Sequence, residues 1–458
     1  MSRSIGKENA AGKLALTSFT FFISYFMQAL YGFTDLIVVG RYCTVSASSA
    51  VASGSLVMHL ITVVAVSLAV GTADAIKKVY DRGDSETTER VIGATVAFYG
   101  TIALAAYLIL SFLTPMIASL LNLPNAALDQ AKVYLHISFI GIPFIALTNL
   151  SNSTYRGLGD NRSPMIILFI SCVFNVFLSV LLVGTYNMGV YGAAISTVAS
   201  QALNAFGCTV HIHFFLKGRG LRVNWRFIRY DRKIIRPITE VGYPIAVHDC
   251  MIQLAFLIIT MILNRRGLVD SAATGIVEKA LAMLLLVSSS MNSAVSVLSK
   301  EEFDRNDAKK ARDYLYLALL LAGLTAIVLN ALIEIFPEEI VFFFTLDKAV
   351  ITSGAKYLRG YSIALVFAAV HYVFTGYFNA LGMSGISYVH NIISSVFLRI
   401  PGVYFISILY PRNLYPVGIA SASGAVFSAI ICVCIYIYLV RAGKNKLTIK
   451  KVVPEGEK

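Results

Sequence analysis

The chain has 458 residues, 57% of them hydrophobic and only 14% charged, against roughly 25% charged in soluble domains, so most of it is excluded from water. A formal net charge of +13 would suggest a nucleic-acid partner for a soluble protein. Here the Lys and Arg crowd into short stretches between long apolar runs, which excludes that reading and a large soluble domain, and marks a polytopic protein whose partner is the lipid bilayer.

The N-terminus, MSRSIGKENAAGK, is polar and shows no small-residue cleavage pattern, so the first helix is expected to direct insertion. Apolar runs follow at about 14–40, 47–75, 91–119, 133–154, 164–184 and 190–216, then at 237–264, 271–298, 313–336, 349–378, 386–410 and 416–440. A helix rising about 1.5 Å per residue needs roughly 20 apolar residues to cross the hydrocarbon, and each run is long enough for a tilted crossing. The expected fold is an all-α integral membrane protein of twelve transmembrane helices. The cysteines, Cys43, Cys172, Cys208, Cys250, Cys432 and Cys434, lie mostly inside these runs without ligand spacing and read as small core residues.

The first run carries a single charge, Asp35. A carboxylate near mid-membrane costs about 2.5 to 3.5 kcal/mol on insertion scales, so its retention points to a use. Gly32 lies one turn earlier, and with no proline in this run a kink would have to use that glycine or a side chain. Assigning the termini and even-to-odd loops to the cytoplasm puts 28 of the 38 Lys and Arg there, which predicts two cytoplasmic termini in the cell membrane. The basic stretch Lys217 to Arg236, which holds the lone Trp225, reads as a linker between an N-lobe (1–216) and a C-lobe (237–441), with a basic tail at 442–458.

The two halves echo each other. YLHISFIGIPFIALTNLSNSTYRGLG from Tyr134 matches YLRGYSIALVFAAVHYVFTGYFNALG from Tyr357 with Tyr-Leu and Leu-Gly at identical spacing, and Ala52-Ser53-Gly54 matches Ala273-Thr274-Gly275. Six helices per half makes this a parallel repeat, giving two pseudo-symmetric six-helix bundles of the kind that rock about a shared cavity.

LYGFTDLIVVGRY, SLAVGTADA, YRGLGDNRSPMIILFISCVFNVFLSVLLV and GVYGAAISTVASQ in the first half, with VGYPIAVHD, LRGYSIALVFAAV, VFLRIPGVYFIS and PVGIASASG in the second, give the chain its family character. In order across nearly the whole chain, they resemble the multidrug and toxic compound extrusion family. The resemblance implies a secondary antiporter that expels organic, often cationic, compounds against an inward proton or sodium gradient. It also implies a coupling site at Asp35, Asn175, Ser179, Thr197 and the backbone carbonyl of Ala193. Asn175 with Ser179, and Ala193 with Thr197, are four apart and share helix faces. Ser179 stands where family members carry a second acid; with one carboxylate left, a proton needs only Asp35, and protons are preferred over sodium as the coupling ion. Interhelical hydrogen bonding is the plainer role for Asn175, Ser179 and Thr197.

Gln28, Tyr134 and Asn149 are expected near the same cavity. In the C-lobe the family's carboxylate pair does not transfer, because the aligned helix 10 carries Phe367; His248, Asp249, Glu278, Lys279, His371 and Arg399 are costly there, with structural pairing the leading reading against substrate or proton handling, and His248, Asp249 and His371 are candidate cavity residues. The aromatic content, 28 Phe and 24 Tyr, offers surface for flat cations. The alternative function is a flippase for lipid-linked oligosaccharides, disfavoured by the scarcity of Lys and Arg within spans. An enzyme is weakest: no phosphate loop, metal cluster or nucleophile arrangement stands out, and His211 with His213 is at most a weak metal pair. No cofactor and no metal beyond sodium is expected, and the chain is read as a monomer.

Overall fold

The computed structural model describes residues 10–160, 162–221 and 225–441, with Tyr31 and Trp225 described by backbone alone; the expected tail at 442–458 and residues 222–224 of the linker lie outside them. Among the described residues every element is helical. The first half comprises α1 (Ala10–Tyr42), α2 (Val45–Tyr80), α3 (Ser85–Phe112), α4 (Thr114–Leu120), α5 (Asn125–Phe139), α6 (Ile142–Gly157), α7 (Arg162–Ser179) and α8 (Gly189–Gly218). The second comprises α9 (Arg232–Asn264), α10 (Leu268–Leu284), α11 (Leu286–Asp304), α12 (Ala308–Ile335), α13 (Pro337–Phe342), α14 (Lys348–Ser362), α15 (Ala364–Ala380), α16 (Ser384–Ile393), α17 (Ile400–Leu409) and α18 (Tyr415–Arg441). In lipid, backbone polar groups find no water, so a chain this apolar satisfies them within helices.

Where helices leave the polar loops, side chains cap them. The carboxylates of Asp84, Asp231, Asp307 and Asp347 accept from the backbone N–H of Thr87, Lys233, Lys310 and Val350 at 2.9, 2.9, 3.0 and 3.0 Å. Among the described residues nine helical segments are long and apolar enough to cross a membrane, and two bent helix pairs bring the number to eleven. The remaining element of bilayer length is α8, 30 residues long, whose Ser196, Thr197, Ser200, Gln201 and Asn204 lower its hydropathy. Helix α1 is continuous through Gly32.

The repeat seen in the sequence has structural counterparts. The pair α5–α6 bends by 44° and the pair α14–α15 by 43°, and these are the segments that begin their echo at Tyr134 and Tyr357. A π-helical stretch, Val180–Thr185, follows α7, and another, Ser394–Arg399, joins α16 to α17. Such one-residue insertions re-aim side chains and recur at functional sites.

In the first half, α2 packs on α5 and α6, α3 on α6, and α7 on α8; in the second, α11 packs on α12 and α15, and α14 and α15 on α18. The halves meet through α1 and α2 against α9, α10 and α11. At the end remote from the termini this contact includes polar pairs beside apolar packing: Ser49 and Ser271 hydroxyls lie 2.6 Å apart, and Asn264 donates to the Leu121 carbonyl at 2.8 Å and to Ser53 Oγ at 3.2 Å. Toward the other end Tyr25 meets Ser293 at 2.6 Å, and Lys13 bridges Glu301 at 2.9 Å.

Candidate coupling site

Asp35 lies seven residues from the remote end of α1 and is buried, 2% exposed. Three helices converge on it. From α7, Ser179 donates to Asp35 Oδ1 at 3.2 Å, and from α8, Thr197 donates to Oδ2. Asn175, one turn before Ser179, is fully buried, and neither its Nδ2 nor its Oδ1 has a partner at hydrogen-bonding distance. The backbone carbonyl of Ala193 lies 2.9 Å from Ser196 Oγ and 3.0 Å from Thr197 Oγ1. The five residues expected at the coupling site therefore occupy one polar pocket.

Ser196 completes that pocket and escaped the sequence reading. Its hydroxyl is 2.6 Å from Ser179 Oγ. The available signal was its place beside Thr197, three residues after Ala193, in a run of small residues that reads as helix packing. Each hydroxyl carries one proton and accepts others. With Asp35 ionised, Thr197 and Ser179 give their protons to the carboxylate, and Ser196 serves Ser179. With Asp35 protonated, its own O–H donates to Thr197, which turns its proton to the Ala193 carbonyl. Both charge states are hydrogen-bonded without moving a backbone atom.

The other expected cavity residues are dispersed. Tyr134 is buried, packs on Gly54 of α2, where a Cβ would lie 2.5 Å from its ring, and feels the charge of Asp35. Gln28 is exposed and donates to the Ser24 carbonyl of its own helix at 3.2 Å. Asn149 is buried and donates to Ile145 in the same way at 2.9 Å. His248 pairs with Asp249 at 2.9 Å, Asp249 accepts from Ser67 Oγ at 2.9 Å, and the His248 ring lies 3.9 Å from that of Tyr388. His371 is buried edge-on to His390, 5.9 Å between centroids. His211 accepts or donates to Tyr155 OH at 2.7 Å, and no metal-binding group of three side chains exists among the described residues.

The C-lobe holds a second, partly buried carboxylate within a span, built differently. Glu278 Oε1 is 3.3 Å from Arg399 Nη2 and accepts from Tyr357 OH at 3.0 Å, while Tyr357 OH also meets Ser421 Oγ at 2.8 Å. Arg399 donates to Tyr361 OH and stacks over Phe256 at 4.3 Å. Tyr357 is the repeat partner of Tyr134, and Arg399 ends the second π-helical stretch as Ser179 abuts the first. Glu278 thus has an arginine in direct contact, whereas the groups hydrogen-bonded to Asp35 are hydroxyls.

A cleft of about 350 Å³ opens at the remote end of the first half, between Tyr42, Thr44, Gln130 and Asn187. Its lining includes Val183, one turn beyond Ser179, and Val190, one turn before Ala193 and Ala194.

The MatE family model matches residues 21–181 and again 244–405, one match in each half. The chain belongs to the MatE family. A Bacillus subtilis (strain 168) protein named "Probable multidrug resistance protein YoeA" is 23% identical over 334 residues, covering 71% of this chain and 72% of its own length. The multidrug export protein MepA of Staphylococcus aureus (strain MRSA252) is 21% identical over 434 residues, covering 93% and 92%. Among solved structures, an inward-facing multidrug resistance MATE family transporter of the MOP superfamily superposes with a TM-score of 0.81 at 20% identity, over 91% of this chain and 95% of its own. The MatE chain described here is thus an all-α membrane protein with a MATE transporter's fold.

Proposed function

We propose that this MatE protein is a multidrug efflux antiporter that expels organic, cationic or amphipathic compounds while a cation runs inward through Asp35. The observation that carries this reading is the pocket around Asp35: an intramembrane carboxylate with no fixed counter-cation within 4 Å among the described residues, surrounded by hydroxyls that satisfy it charged or neutral. A purely structural carboxylate would gain from a locked partner such as Arg399 gives Glu278. Each charge moving inward across 100 mV releases about 2.3 kcal/mol, and coupling follows if loading Asp35 and loading substrate favour different arrangements of the two lobes.

The proton is the preferred coupling ion, because the hydroxyls re-hydrogen-bond on protonation. One feature favours sodium as the second reading: Asn175 Oδ1 is buried without a donor, and a hard cation takes such oxygens alongside a carboxylate. With the termini in the cytoplasm, as the Lys and Arg bias proposes, the cleft at Gln130 and Asn187 faces outward and provides the ion's approach to Ser179.

Ethidium or norfloxacin efflux from proteoliposomes, under separately imposed proton and sodium gradients, tests all of this. Wild type is expected to respond to the proton gradient and Asp35→Asn to neither. Equal efflux by both proteins removes Asp35 from coupling, and a response to sodium alone reassigns the ion.

A further inference from the structure

Glu278 and Lys279 are neighbours in α10, but adjacent residues on a helix point about 100° apart, and only Glu278 turns into the C-lobe to meet Arg399 and Tyr357. Lys279 turns the other way. It crosses to α1, where a Cβ built on Gly32 would lie 3.3 Å from its Nζ, so the ammonium rests closely against the helix at Gly32. Gly32 and Asp35 are three residues apart on one face of α1. No carboxylate among the described residues lies within ion-pair distance of Lys279, and the charge it acts upon is that of Asp35. The other titratable groups in this field are His59 of α2, which feels Lys279, and Tyr134 of α5, which feels Asp35.

We propose that Lys279 is a tethered counter-cation for Asp35, held by the opposite lobe, and that it competes with the coupling ion for the carboxylate. The geometry makes the pair a feature of the interface between lobes. While α10 lies against α1 and α2, the ammonium compensates an ionised Asp35, so the empty carrier holds no uncompensated carboxylate. When a cation takes Asp35, the attraction between α1 and α10 is cancelled and the two helices lose one reason to stay together. Lys279 would thereby set how much driving ion is needed to load the carrier and tie loading to separation of the lobes. This deepens the antiport reading and rests on it for the second part only: the pairing itself can be tested without transport.

The first measurement is a double-mutant cycle on the purified full-length protein. Lys279→Met leaves a buried carboxylate without its compensating charge, and Asp35→Asn leaves the ammonium without its partner; each is expected to lower the melting temperature, and the double variant Asp35→Asn/Lys279→Met to recover much of the loss. Additive losses overturn the pair, as does a double variant that fails to fold when Asp35→Asn alone folds. The second measurement is the concentration of driving ion, proton or sodium, at half-maximal efflux. Removing a competing charge worth one pKa unit is expected to lower it about tenfold in Lys279→Met, with Lys279→Arg restoring it toward wild type; a merely structural lysine would change maximal efflux and leave this concentration unmoved, and that result overturns the competition. If neither gradient drives efflux in wild type, the antiport reading fails, and the melting cycle alone decides the pair.

Discussion

Thr197 and Ser179 show how little separates a structural carboxylate from a loadable one. Both hydroxyls reach Asp35, and Thr197 also reaches the Ala193 carbonyl, so the proton on one oxygen decides which charge state is comfortable. Thr197→Val keeps the shape and deletes that choice. It is expected to reduce coupled efflux by about tenfold or more, the weight of a hydrogen bond to a charged group, with Thr197→Ser recovering activity in the same assay. Arg399 poses the opposite case. Its exposure is 7% and that of Glu278 is 14%, and stripping one partner from such a pair costs about 3 to 5 kcal/mol. Arg399→Met is therefore expected to melt well below wild type, and Glu278→Gln/Arg399→Met to regain most of the difference. These residues also mark where the sequence stopped being informative. Asp35 was visible because it is the lone charge in its apolar run, and Asn175, Ser179, Ala193 and Thr197 through motif resemblance. Ser196 was not, since a serine among small residues is equally at home in helix packing, and the direction of Lys279 depends on which neighbour its face of α10 meets.

At the scale of elements, close approach does more than apolar bulk. Gly71 of α2 faces the backbone of α9 at Ile238 and Gly242, and Gly242 in turn faces Leu68, so these two helices touch main chain to main chain across the interface. Gly275 of α10 is similar: a Cβ there would lie 2.5 Å from the Cβ of Ala52 on α2. Without a hydrophobic force between helices in lipid, small residues supply such contacts. Gly275→Val is expected to cost about 1 to 3 kcal/mol by overpacking, read as a lower melting temperature, while Gly100→Val on α3, where nothing lies within 4 Å of a built Cβ, stays near wild type. The bends of 44° and 43° and the paired π-helical stretches were not legible as such. The Tyr134 and Tyr357 echo announced that the segments correspond, but the bends carry no shared signature: Pro143 opens α6, whereas no proline stands at the junction of α14 and α15.

For the whole molecule, the lobes meet at the remote end through polar pairs and a shared apolar core, in which Leu36 and Ala52 of the first half join Ile259, Leu263 and Ala273 of the second, and the antiport proposal requires this surface to part. Ser49 and Ser271, 2.6 Å apart, make the test direct. In a background lacking other accessible cysteines, Ser49→Cys/Ser271→Cys is expected to cross-link under oxidant and arrest efflux, with reductant restoring it; unimpeded efflux by the cross-linked protein would show that these helices need not separate.

Hydropathy alone determined that this protein lives in a bilayer as a bundle of long helices, because lipid leaves helices and closed barrels as the ways to satisfy a backbone, and continuous apolar runs of this length suit only helices. The order of motifs determined the family, and one stray carboxylate determined where to look. Tertiary structure decided which charges meet. Glu278 and Lys279 are chemically opposite and adjacent, yet the pitch of α10 sends one to an arginine in its own lobe and the other across the interface to Gly32 beside Asp35, and no feature of the two residues themselves contains that division.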